Sequence, residues 1–100
     1  MHFKTILALQ KEYGFTDMQN DINSGLVWRS EGSVGRAAMR LLESGACMLP
    51  KEFKVDYYGN RVPSRYVLQK GSKGTFQNCA KFWTAVLDGR IEIDEYAEIN

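Results

Sequence analysis

A chain of 100 residues, 44% hydrophobic and 25% charged, is the size of one ordinary domain, long enough to bury a core and too short for two. No stretch is polar enough to stay unfolded for want of apolar surface, so residues 1–100 are expected to be ordered nearly throughout. The formal net charge is +1, so any preference for charged partners has to be local.

Phe3, Ile6, Leu7, Leu9 and Tyr13 fall on one side of a helical wheel, and Gly14 supplies a left-handed stop. This predicts a first helix, Phe3 to Tyr13. Its apolar run from Ile6 to Leu9 is far shorter than a secretory segment and lacks a small-residue cleavage site. No other run approaches the roughly 20 residues that span a bilayer. A soluble, cytoplasmic protein with no membrane partner is expected.

Thr16 followed three residues later by Gln19 reads as a capping box. A short second helix should run from Asp17 to Ser24 and end at Gly25. Ser33 is a suitable N-cap for a third, Val34 to Ser44, in which Val34, Ala37, Ala38, Leu41 and Leu42 take helical spacing and Gly45 closes the element. From Glu52 to Leu68 the period changes to two, with Phe53, Val55 and Tyr57 alternating with Lys54, Asp56 and Tyr58 around Gly59-Asn60. A β-hairpin with Tyr57 opposite Val62 would put Phe53, Val55, Tyr57, Val62, Ser64 and Tyr66 on the core face. Pro63 would then lie at an edge or bulge. Thr75 caps a last helix carrying the stripe Phe76, Cys79, Ala80, Trp83, Val86 and Leu87 up to Gly89. A short strand from Arg90 to Ile93 and a turn capped by Asp94 complete the reading. The fold class is α+β: a small single domain of about four main helices plus a β-hairpin.

Cys47 and Cys79 read as buried thiols, and with His2 as the sole histidine no Cys/His zinc set can form. No cofactor is implied. Glu92, Asp94, Glu95 and Glu98 look like a solvated acidic tail. Neither cysteine has an internal histidine to activate it, and no Gly-x-Ser-x-Gly elbow is present. Nothing here builds a catalytic set.

Two glycine-containing loops lead into helix starts, where free backbone donors and the helix dipole favour anions. The first, Lys70-Gly71-Ser72-Lys73-Gly74-Thr75, adds two lysines but lacks the Walker spacing; a flexible solvated turn is the plain alternative. The second includes Arg29, Ser33 and Arg36. Arg36 stands in a first turn, where the dipole disfavours it, and four residues from Arg40, so either an anionic partner or an ion pair to Glu43, Asp17 or Asp21 accounts for it.

Residues 51 to 74 carry a formal excess of four positive charges, residues 75 to 100 are acidic by three, and the first fifty balance. In the expected register the hairpin face opposite the core presents Lys54, Tyr58, Arg61 and Arg65. Cations beside an aromatic ring suit phosphates and bases, and tyrosine with arginine also suits protein-interface hot spots. Trp83 reads as core, and Trp28 either covers the core or meets a partner.

The preferred reading is a non-enzymatic adaptor, regulator or inhibitor that binds a protein through the hairpin and the Lys70–Thr75 loop, as in a regulatory or mobile-element accessory protein. Nucleic-acid binding by the same surface is the alternative, and an enzyme acting on a small phosphorylated ligand is the third.

Overall fold

The computed structural model describes residues 1–94, 98 and 99. Four α-helices and a two-stranded antiparallel hairpin follow in the order α1 (Phe3–Tyr13), α2 (Thr16–Ser24), α3 (Gly32–Ser44), β1 (Lys54–Val55), β2 (Arg61–Val62) and α4 (Phe76–Leu87). The α+β class therefore holds. A 3-10 turn, Leu26–Arg29, links α2 to α3. Among the described residues no helix is long and apolar enough to cross a membrane.

The outer helices form where their spacing places them, but their stripes are only partly buried: Phe3, Leu7 and Leu87 are exposed, while Gln10 in α1 and Phe82 and Ala85 in α4 face inward. α1 turns Ile6 and Leu9 inward and ends at Gly14 in the left-handed region, while His2 caps its start by accepting from the Lys4 N–H. α4 buries Cys79, Phe82 and Trp83, and Thr75 caps it by accepting from the Asn78 N–H. Tyr13 and Phe15 pack on the Trp83 ring at 5.6 and 6.0 Å.

Two expected caps are not made. The N-cap of α2 is Phe15, with no side-chain hydrogen bond, and Thr16 is already helical with its hydroxyl buried and unpartnered. The capping box fails because Gln19 is used elsewhere: its side chain turns into the core. α3 begins two residues earlier than expected, with Glu31 at the N-cap, so Ser33 lies inside the first turn and caps nothing.

What occupies the centre is not a regular element. Residues 46–50 run buried between the helices, and buried backbone must find hydrogen-bond partners. Side chains supply many of them. Ala46 C=O accepts from Gln10 Nε2 at 3.0 Å and from Trp83 Nε1 at 3.1 Å. Gln19 Oε1 accepts from the Met48 N–H, and its Nε2 donates to the Met48 C=O, both at 2.9 Å. Gln10 Nε2 also donates to Gln19 Oε1, so the two amides bridge α1 and α2 to this segment. Leu49 N–H reaches the Gly74 C=O at 2.9 Å.

The hairpin is shorter than expected and its register differs. Lys54 pairs with Val62 and Val55 with Arg61, three residues away from the register that sets Tyr57 opposite Val62. The cause is Asp56. Its carboxylate accepts from the Tyr58 and Asn60 N–H groups at 2.9 and 2.8 Å, closing a wider loop than a two-residue turn. Tyr57 N–H leaves the ladder to donate to the Trp28 C=O. An odd slip exchanges faces. Phe53, Val55 and Tyr57 are consequently exposed, while the stem of Lys54 packs against Gly25. Beyond β2 the chain turns at Ser64, whose hydroxyl donates to the Lys51 C=O, and Tyr66 also ends outside the core.

In the tail, Ile93 forms an isolated bridge with Ile99 in place of a strand over Arg90–Ile93. Asp94 accepts from the Glu98 N–H; residues 95–97 of the expected final turn, including Glu95, lie outside the described residues.

Candidate functional site

The register decides which cations can act together. Lys54 and Arg61 lie on opposite faces of the hairpin, because each pairs with the other's neighbour. Arg65 is only 7% exposed and belongs to the interior. The strip Lys54, Tyr58, Arg61, Arg65 is thus not one surface. Arg61 lies over the Phe53 ring at 4.1 Å on the outer face. Tyr58 stands at the loop tip, 84% exposed and edge-on to Tyr57 at 5.3 Å.

The Lys70–Thr75 loop divides as well. Gly74 is buried against Leu49 so closely that a Cβ would stand 2.6 Å from Leu49 Cδ1. Thr75 is buried, and its hydroxyl donates to the Ser72 C=O at 2.6 Å while capping α4. Ser72 directs its hydroxyl and N–H to the Gln69 C=O. These groups hold the loop's own shape. Lys70, Gly71 and Lys73 are exposed.

Arg29 ends the 3-10 turn and Arg36 folds back over Gly32, where a Cβ would meet Nη1 at 3.0 Å. Ser33 is exposed beside them. Among the described residues the one ion pair is Arg90–Asp88, at 3.1 Å on the surface. Arg36 therefore does not pair with Glu43, Asp17 or Asp21.

A groove of about 410 Å³ opens between α3 and the hairpin. Trp28, Met39, Leu42, Leu49, Val62 and Pro63 give it apolar walls, and Arg61, Lys73, Glu43 and Asp56 line it with charges of both signs. A second hollow of about 460 Å³ shares Trp28 and Asp56 and is lined further by Arg29, Gly32, Tyr57 and Tyr58. Trp28 is thus common to both. Its Nε1 is sealed from solvent with no acceptor, and an unmet buried donor costs about 1–3 kcal/mol. Five expected site residues, Arg29, Tyr58, Arg61, Lys73 and Gly74, border this pair of hollows. Sequence periodicity missed Met39 and Asp56. Met39 was findable in principle, as a large apolar residue 46% exposed beside the buried stripe of α3.

Neither cysteine is prepared as a nucleophile. Burial pushes the thiols of Cys47 and Cys79 up to about 12, the Cys79 neighbour adding to the shift at Cys47, while Trp83 and Arg65 only partly oppose it at Cys79. A thiol raised on folding stabilises the fold below its ordinary range, and that contribution is lost as pH climbs from there toward 12. At about pH 8 a maleimide should leave both thiols of the native protein unlabelled and modify both in denaturant, because only the exposed thiolate reacts. Rapid labelling of the folded protein, read by mass, would contradict this. Among the described residues no three His, Cys, Asp or Glu side chains gather as a metal site.

Comparison with protein-family models, with curated proteins and with solved structures finds no match to this chain.

Proposed function

We propose that this domain is a non-enzymatic binding module that takes a segment of a protein partner in the groove between α3 and the hairpin. The observation that carries the reading is Trp28: an indole on the groove wall whose N–H lacks an acceptor. A partner that inserts an apolar side chain against Leu42, Leu49 and Val62 and, as the indole edge turns out of its sealed position, offers a carbonyl to Nε1 removes that cost. Trp, Tyr and Arg are also the residues on which interface energy concentrates. Arg61 and Lys73 with Glu43 and Asp56 give the walls no net charge, so selectivity rests on shape and hydrogen bonding more than on long-range attraction. Two buried, unpaired thiols suit a reducing compartment such as the cytoplasm.

Nucleic-acid binding has less support, because the hairpin cations are divided between two faces. The two readings differ in salt dependence. Peptides selected from a random library on the wild-type protein should share an apolar anchor and shift the Trp28 Nε1–H resonance. They should weaken at least about tenfold in Met39→Glu, as expected when a contact in the centre of an interface is spoiled, and change little between about 50 and 200 mM salt. Peptides indifferent to Met39→Glu would overturn the groove reading. Binding of labelled DNA or RNA that falls steeply with salt would replace it with the nucleic-acid one.

A further inference from the structure

Arg65 is a cation in the interior without a counterion among the described residues. Its guanidinium lies 5.4 Å from the Phe3 ring and 5.5 Å from the Tyr66 ring. Nη1 donates to the Met48 sulfur at 3.3 Å, Nε is sealed from solvent with no acceptor, and Nη2 donates to no group of the described residues. No carboxylate among the described residues pairs with it. A guanidinium carries five donors and a thioether is a weak acceptor. Ring faces return about 0.5–2 kcal/mol apiece, well short of the hydration a buried charge gives up. Burial accordingly pulls its pKa below the ordinary arginine value, although an arginine in a protein stays protonated.

The occupied and unoccupied nitrogens form a pattern. With Nη1 taken, the free edge is Nε with Nη2, the pair whose N–H bonds run side by side and match the two oxygens of a carboxylate. Two aromatic rings, Phe3 and Tyr66, lie beside the guanidinium. Phe3 is 37% exposed and stacks on Phe76 at 6.2 Å, Tyr66 is 64% exposed, and Leu7 follows Phe3 one turn along α1.

We infer that the Nε–Nη2 edge of Arg65 is a docking site for a carboxylate carried on an apolar segment of a protein partner, whose flanking side chains cover Phe3, Phe76 and Tyr66. A swing of the exposed Tyr66 side chain admits the carboxylate to Nε. One cation ringed by hydrocarbon suits a single carboxylate better than a phosphate, which brings a higher charge and no apolar body to cover the rings. The guanidinium's contacts include none of the residues that line the groove, so this site stands or falls separately from the groove reading.

The test uses two capped tripeptides, Phe-Asp-Phe and Phe-Asn-Phe, which differ by carboxylate against amide. Titrated into the full ¹⁵N-labelled chain, the Asp peptide should shift the Arg65 Nε–H resonance saturably and the Asn peptide at least about tenfold more weakly, as expected for a lost charge-assisted fork. The Trp28 Nε1–H resonance should stay in place. Arg65→Met should keep the wild-type pattern of backbone resonances, melt no lower than wild type because an uncompensated buried charge is gone, and lose the preference for the Asp peptide. Equal shifts with both peptides, no shift with either, or a preference that survives in folded Arg65→Met would each overturn the site. If Arg65→Met does not fold, the peptide pair on the wild-type protein decides alone.

Discussion

Gln19→Leu is expected to destabilise the protein by about 4 kcal/mol, measured by urea denaturation. The replacement keeps much of the side-chain volume but leaves the buried N–H and C=O of Met48 without partners, and each such group costs about 1–3 kcal/mol. Asn23 is only part-buried and can turn to water, so the loss is concentrated at Met48. Gln10→Leu makes the contrast. After it, Ala46 C=O still accepts from Trp83 and Gln19 Oε1 still accepts from Met48, so about 1 kcal/mol should be lost. Equal costs at the two positions would mean that the amides act only as filler. Against a total stability of about 5–15 kcal/mol for a domain, the Gln19 change should remove between about a quarter and four-fifths of it.

Gly45→Ala should be nearly as severe, at about 3 kcal/mol by thermal melting. Two costs combine. Gly45 has a φ of +100°, where an L side chain loses about 1–2 kcal/mol. Its Cβ would also stand 2.8 Å from Phe82 Cβ and 2.9 Å from the Asn78 C=O. Both belong to α4, so relief requires α3 and α4 to move apart, an overpacking cost of about 1–3 kcal/mol. Gly14→Ala separates the terms. Gly14 has a similar φ of +87° with open space around it, so only the backbone part, about 1 kcal/mol, should appear. If the two variants melt alike, the close approach of Gly45 to α4 is not a constraint on packing.

These positions also mark how far the residues could be read before the fold was known. α1 and α4 were legible to the residue or nearly so, because a stripe at helical spacing and the left-handed glycine or capping threonine beside it are local signals. α3 was legible except at its start. Gln19 was not, because its spacing to Thr16 fits a local cap while its actual partner, Met48, lies 29 residues away. The hairpin was legible as a hairpin but not in register: alternation in Phe53–Tyr58 favoured one face, and a single carboxylate at Asp56 moved the turn. The groove was the least legible part. It gathers Trp28, Met39, Leu49 and Val62 from four separate stretches of chain, and Gly74 and Thr75 proved to be structural supports beside it. Arg65 reads as part of the exposed hairpin face, whereas the slip and the turn at Ser64 carry it inward.

The buried run at 46–50 has a consequence for how the chain assembles. In a sheet, a central strand can be secured by one neighbour at a time. Here α1, α2, α4 and the loop at Gly74 each contribute a hydrogen bond to the same few residues, so the polar groups of the segment are not all satisfied until all four stretches have arrived. Partial structures lacking any one of them leave dehydrated amides behind and gain little. The exchange of the buried Met48 amide proton is therefore expected to track opening of the whole molecule, and that of the amide of exposed Tyr58 to be faster.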